Sequence, residues 1–283
     1  MHAEIHQICK SSSGTVLSYC CREEPGSVSS VEAGTTSDIV FTRRGRFTRH
    51  RGRKSHDVHC QMVLLENRGD EHVVSHGKDV RDECTFMSVK PLILDEALRS
   101  YWRKNHLPAG RTGTPFPVAA LPVTPSLDYL HMQLFHRSGA AGTTLRTDLL
   151  FTELVREIFR MMFDDQVIVK EPEKRLEELH LETIERAKHH ITLHFREDIS
   201  LSDIAYHACV SEFHFSRLFK HFTAFSPYQY LIELRLKHAT LLLRNTSLPV
   251  TDVCFESGFN SIAHFIATFT RRHGLSPSRL RAA

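Results

Sequence analysis

The most chemically pointed side chains lie between residues 213 and 220. Phe213, Ser216, Arg217 and Lys220 fall at i, i+3, i+4 and i+7, so on a helix they share one stripe. Phe215, Leu218, Phe219 and Phe222 supply the apolar face of the same helix. A phenyl ring beside Arg and Lys on a solvent-facing stripe suits a DNA major groove, where a guanidinium reads a guanine edge and an apolar ring meets a thymine methyl. The aligned stripe fifty residues later is Ala263, Ile266, Ala267 and Thr270, followed by Arg271 and Arg272. Those types suit thymine-methyl contact and phosphate more than direct base readout. Ser211 and Ser261 stand where each helix starts, with Glu212, Ile262 and His264 in the first turns.

An internal repeat positions both stripes. Phe215, Phe219, Ser226 and Pro227 recur at an offset of 50 as Phe265, Phe269, Ser276 and Pro277, as do Ser211 and His214 at Ser261 and His264. Upstream the offset is 49, so the second copy carries one extra turn residue, Asn260. Each copy reads as helix, short turn, helix. Ser200 and Asp203 form a capping-box pattern opening a helix from Leu201 to about Ala208. Ser211 caps a second helix running to about Thr223. Ser226-Pro227 then starts a longer helix to about Arg244, whose apolar face can hold the two units at a fixed separation.

The stretch SLSDIAYHACVSEFHFSRLFKHFTAFSPYQYLIELRLKHATLLL, with VTDVCFESGFNSIAHFIATFTRRHGLSPSRLR after it, resembles the DNA-binding domain of the AraC family over about residues 176–283. The resemblance implies two recognition helices entering successive major-groove segments of double-stranded DNA, and a base- or phosphate-contacting arginine at Arg217. It departs where the family often has Arg and this chain has Ala267. It departs again at Ala224, which replaces the usual glycine that Gly274 supplies in the second copy; a left-handed Ala224 carries strain on the order of 1 kcal/mol. Many members are similar to this chain further on, with a cupin-like N-terminal barrel, dimerising helices and contact with RNA polymerase.

The rest of the chain fits an α+β reading. Residues 1–125 are expected to form a cupin-like antiparallel β barrel acting as a sensor domain, 126–163 a helical dimerisation segment, 164–174 a linker, and 175–283 an all-α domain with two helix-turn-helix units. Residues 1 to about 35, rich in Ser, Gly and Thr, read as loop or frayed terminus. DIVFT, QMVLLE, EHVVS and CTFMSV read as short strands split by turns. Five prolines at 108, 115, 117, 122 and 125 exclude a long helix there. Leucine spacing after Ser126 predicts a helical hairpin broken at Ser138-Gly139.

The remaining candidates are weaker. His56, His59, Glu71 and His72 lack the HxH spacing of a cupin metal site, so no metal and no cofactor are expected. His190 and His194 share a helix face that reads as solvent-facing. Arg43, Arg44, Arg46, Arg49, Arg51, Arg53 and Lys54 read either as a solvated hairpin edge or as a patch for an anion or DNA backbone. The seven cysteines form no CxxC pair and read as thiols in a reducing compartment; adjacent Cys20 and Cys21 could also be a redox sensor. No catalytic set can be assembled, so the chain is not expected to be an enzyme.

Formal net charge is +3, and from Ile199 onward nine Lys or Arg face five Asp or Glu, which permits DNA binding and no more. Neither a membrane span nor a signal-peptide core is read, so the compartment is expected to be the cytoplasm. The function these readings support is a sequence-specific, homodimeric DNA-binding regulator answering to a small-molecule effector of unknown identity. The alternatives are a cupin-type enzyme with a DNA-binding regulatory tail, and a DNA-binding protein whose N-terminal domain only dimerises.

Overall fold

The computed structural model describes residues 3–77, 81–104, 114–136, 144–163 and 178–282. The chain divides into two compact units, Met1–Glu185 and Arg186–Ala283. In the first, strands β1 (Ala3–Lys10), β2 (Gly14–Cys21), β3 (Glu32–Ala33), β4 (Ser37–Arg44), β5 (Phe47–Arg51), β6 (Lys54–Val58), β7 (Met62–Glu66), β8 (Glu71–His76), β9 (Glu83–Val89) and β10 (Ala120–Pro122) form two antiparallel sheets. Their orders are β1-β2-β9-β4-β7-β10 and β3-β8-β5-β6. The sheets share one apolar core, in which Tyr19, Val40 and Leu64 of the larger meet Phe47, Val58 and Val74 of the smaller. The strand period of two explains which side chains enter it: on β5, Phe47 and Arg49 are buried while Thr48 and His50 between them are only half-buried.

Three helices complete this unit: α1 (Pro91–Lys104), α2 (Pro125–Phe135) and α3 (Thr144–Phe163). Thr124 caps α2 by accepting the Leu127 amide at 3.3 Å, with Pro125 in the first turn. Helix α2 is buried on almost every side. His131 stacks on Phe41 at 4.3 Å between ring centroids and shares a 2.9 Å hydrogen bond with Thr85. Helix α3 buries Phe151, Leu154, Val155, Ile158 and Phe159. It lies so close to β2 that a Cβ on Gly14 would sit 2.9 Å from the Phe151 ring. The expected dimerisation hairpin therefore has α2 inside the core of the first unit, while α3 keeps Leu145 (76 % exposed) and Leu149 outward.

Several expectations need correction. Much of the stretch expected as loop is strand: residues 3–21 hold β1 and β2, paired from Ala3↔Cys21 to Lys10↔Thr15. Helix α1 is an addition, with Leu94 and Leu98 buried one turn apart. The basic run is only in part a solvated edge. Arg49 is fully buried with its Nε 3.0 Å from Glu66, Arg46 pairs with Asp57, and Arg51 pairs with Asp70. The Arg43 guanidinium lies 4.3 Å over Phe135, while Arg44, Arg51, Arg53 and Lys54 are exposed. The helix break at Ser138-Gly139, Pro108 and the 164–174 linker lie outside the described residues. Among the described residues, no helix is long and apolar enough to cross a membrane.

The second unit is all helix. It takes α4 (Glu178–His194) from Arg186 onward, then α5 (Leu201–His207), α6 (Glu212–Thr223), α7 (Pro227–Asn245), α8 (Val250–Glu256), α9 (Ile262–His273) and α10 (Pro277–Ala282). The Ser200–Asp203 capping box opens α5 and a second, Ser226–Gln229, opens α7 behind Pro227. His190 is half-buried, stacked on His207 at 3.9 Å and tilted against His194 at 4.7 Å, while the His194 side chain stays 39 % exposed. Burial and the neighbouring His207 and His194 push the His190 pKa down.

Ala224 ends α6 at φ 62°, the left-handed region, where its counterpart Gly274 ends α9 at φ 72°. A left-handed alanine costs about 1–2 kcal/mol, and glycine returns about 0.4–1 kcal/mol of that through unfolded-chain entropy. Ala224→Gly is therefore expected to stabilise the second unit by a few tenths to about 1 kcal/mol. The urea midpoint of that unit is the measurement; an unchanged or lower midpoint counts against the strain.

Candidate nucleic-acid interface

Two helix-turn-helix units make up the second unit's surface, α5–α6 and α8–α9. Each turn has a left-handed residue at its start: Cys209 at φ 59° in the first, Gly258 at φ 83° in the second. In the first unit the turn closes through Val210, whose amide donates to the Ala205 carbonyl at 3.1 Å; in the second, Phe259 donates to Cys254 at 3.1 Å. Identical backbone geometry across the repeat is what the 49-residue offset anticipates.

Aromatic ladders hold each second helix in place. Phe215, Phe219 and Tyr230 contact in series at 5.3 Å and 5.3 Å, and Phe259, Phe265 and Phe269 at 5.1 Å and 5.6 Å. Helix α7 runs between the ladders. Tyr230 is buried on it against Phe219 of the first helix-turn-helix, and Ile232, Leu236, Ala239 and Leu243 enter the core of the second. Arg235, itself buried, donates from Nε to the Phe195 carbonyl and from Nη2 to the Glu197 carbonyl, both at 2.7 Å, tying α7 to the end of α4.

On α6, Phe213 is 71 % exposed and Arg217 and Lys220 are exposed, with Ser216 half-buried between them. The Arg217 guanidinium lies 4.3 Å over the Phe213 ring. A stacked guanidinium keeps its hydrogen-bonding edge free while losing rotamer freedom, which lowers the cost of ordering it on a ligand. Phe222, expected on the buried face, is only half-buried. Ser211 occupies the N-cap position but accepts no hydrogen bond there, so it does not cap α6; its hydroxyl and the first-turn Glu212 are exposed.

Helix α9 has a true cap: Ser261 accepts the His264 amide at 3.4 Å. Ala263, His264, Ile266 and Ala267 are exposed, Ile262 and Thr270 half-buried. Arg271 is exposed without an ion-pair partner among the described residues. Arg272 instead holds Glu233 of α7, its Nε 2.9 Å from the carboxylate. Sequence reasoning passed over Tyr206 and Phe255, exposed at 78 % and 59 %. They are counterparts at the 49-residue offset, so the repeat itself carried their signal.

The helix-turn-helix domain family model matches residues 204–283. The uncharacterized HTH-type transcriptional regulator YdeC of Bacillus subtilis (strain 168) is 28% identical over 134 residues, 47% of this chain and 43% of that protein. An uncharacterized HTH-type transcriptional regulator of Staphylococcus aureus (strain COL), SACOL0084, is 35% identical over 92 residues, 32% of this chain and 12% of that protein. The chain thus spans less than half the length of these relatives. Among solved structures, a transcriptional regulator of the AraC-type DNA-binding domain-containing proteins from Chromobacterium violaceum is 33% identical over 35% of this chain and 89% of that one, with a TM-score of 0.34.

Proposed function

We propose that this chain, whose C-terminal residues form an AraC-type helix-turn-helix domain, is a sequence-specific DNA-binding transcription regulator of the cytoplasm rather than an enzyme. The exposed Phe213–Arg217 stack in the N-terminal half of α6 carries the reading. Helices α6 and α9 enter successive major-groove segments about one turn, roughly 10 bp, apart. The first reads bases through Phe213, Ser216, Arg217 and Lys220. The second grips phosphate through Ser261, Arg271 and Arg272, while Ala263, Ile266 and Ala267 meet thymine methyls.

Arg217→Ala is expected to lose about 1–3 kcal/mol of specific affinity with the fold intact. A binding-site scan by gel shift should show base changes under the first unit costing about 1–3 kcal/mol each and changes under the second clearly less. Equal discrimination under both units would sink this division of roles. Salt dependence separates the two terminal arginines. Arg271→Ala should lower the slope of log K against log salt by about 0.9. Arg272→Ala should lower it by less, because Glu233 already offsets that charge. Equal losses from both would contradict a role for Glu233.

The cupin-like first unit is read as the effector domain. Between its sheets lies a cavity of about 300 Å³ walled by Tyr19, Val40, Phe47, Leu64, Val74 and Phe86. Arg49 lines it, and its buried Nη1 has no hydrogen-bond partner among the described residues. A buried donor without a partner favours a mostly apolar ligand carrying one acceptor group. Homodimerisation through the outer face of α3 would pair two such binders on adjacent sites and raise their joint affinity. Contact with RNA polymerase completes the reading.

A further inference from the structure

Three side chains from both sheets converge at one end of the barrel. Cys21 ends β2 in the larger sheet, His76 ends β8 in the smaller, and Asp82 precedes β9. Cys21 is 2 % exposed, and the His76 and Asp82 side chains are 6 % and 5 % exposed. Sγ of Cys21 lies 3.5 Å from Nδ1 of His76, and that nitrogen lies 2.9 Å from Oδ1 of Asp82. One ligand atom from each residue falls within 4.8 Å of the other two. We propose that Cys21, His76 and Asp82 form a binding site for a borderline divalent transition metal such as Zn²⁺.

The spacing fits that ion. Metal–sulfur and metal–nitrogen bonds of about 2.3 and 2.0–2.1 Å, opened to a tetrahedral angle, put sulfur and nitrogen roughly 3.6 Å apart. The Cys21–His76 separation is 3.5 Å. The carboxylate needs to withdraw from the imidazole by about half an ångström to reach its own position. A thiolate, an imidazole and a carboxylate select zinc-like ions over calcium or magnesium, which take oxygen ligands.

The backbone is shaped to seat the set. Gly45 stands at φ +80°, and a Cβ there would lie 2.9 Å from the Arg81 carbonyl oxygen and 3.0 Å from the Asp82 Cα. The Cys21 amide donates to the Asp82 carbonyl at 3.0 Å, holding two of the ligand residues side by side. Three protein ligands leave a fourth tetrahedral position open. His76 and Asp82 both line the cavity between the sheets, so the site borders it.

The experiment loads chelator-treated full-length protein with Zn²⁺, or with Co²⁺ as a spectroscopic probe, and removes excess by gel filtration. The expected result is one ion per chain and a cobalt–thiolate charge-transfer band. Cys21→Ser should abolish the band, and His76→Ala and Asp82→Asn should each weaken metal affinity at least about ten-fold, the minimum seen when even outer-shell partners of a metal are lost. Cys20→Ser, next in sequence, should leave both readouts unchanged. Far-UV circular dichroism identifies any variant that fails to fold, and the remaining variants then decide. Uptake well below one ion per chain, a band that survives Cys21→Ser, or a band lost with Cys20→Ser would overturn the site.

Discussion

Arg49→Ala is expected to destabilise the first unit by about 3–5 kcal/mol, the effect of leaving a buried charge without its partner. Arg49 is fully buried, its Nε lies 3.0 Å from Glu66, and its Nη2 lies 3.3 Å from Nδ1 of His72. Burial already pushes the Glu66 pKa up, against the pull of Arg49. Truncating the arginine leaves that carboxylate facing Asp38 and Asp70, both of which raise its pKa further. Replacing both partners with apolar residues, Arg49→Met with Glu66→Leu, should recover most of the loss, since no buried charge is left over. Urea unfolding of the full chain measures both. A single variant as stable as the parent, or a double variant no better than the single, would remove the pair from the account of this core.

The second large effect sits in the other unit. Gly258→Val should cost about 2–5 kcal/mol, combining left-handed strain of about 1–2 kcal/mol with overpacking of about 1–3 kcal/mol. Gly258 stands at φ +83°, and a Cβ would approach the Arg196 Cα and the Phe195 carbonyl oxygen to 2.8 Å, both of them backbone atoms. Cys209, its counterpart in the first unit, tolerates the same φ region because its side chain is exposed. The reciprocal change Cys209→Gly should therefore be neutral or slightly stabilising. Thermal unfolding of the two variants checks the contrast, and it would be falsified if they shifted the midpoint equally.

Legibility in the sequence followed the kind of interaction involved. The repeat, the Ser200–Asp203 capping box and the Pro227 helix start are local signals, and the structure contains all three. The strands read from DIVFT, QMVLLE, EHVVS and CTFMSV correspond to β4, β7, β8 and β9. Strand β2 was illegible because it is buried on both faces, Ser18 beside Val16 on one and Cys21 beside Tyr19 on the other, so no apolar–polar alternation marks it. Helix α1 was hidden behind Pro91, which starts it rather than breaking a helix. The inward turn of Arg49 depends on strand phase and on Glu66, seventeen residues away, which composition cannot convey. The Cys21, His76 and Asp82 cluster is assembled across two sheets, so no spacing pattern announces it.

Helix α7 is 19 residues long, about 28 Å at 1.5 Å per residue, and its opposite ends are embedded in the two aromatic ladders. It behaves as a ruler. On the two-groove binding mode proposed above, one base pair inserted between the segments turns the second by roughly 36° about the duplex axis, given 10–10.5 bp per turn. The protein can follow that rotation only by uprooting buried residues such as Leu236 and Arg235, whereas the duplex can follow by twisting or bending. On that proposal spacing errors fall on the DNA, and flexible steps between the two segments become part of what an operator must contain even though no side chain reads them.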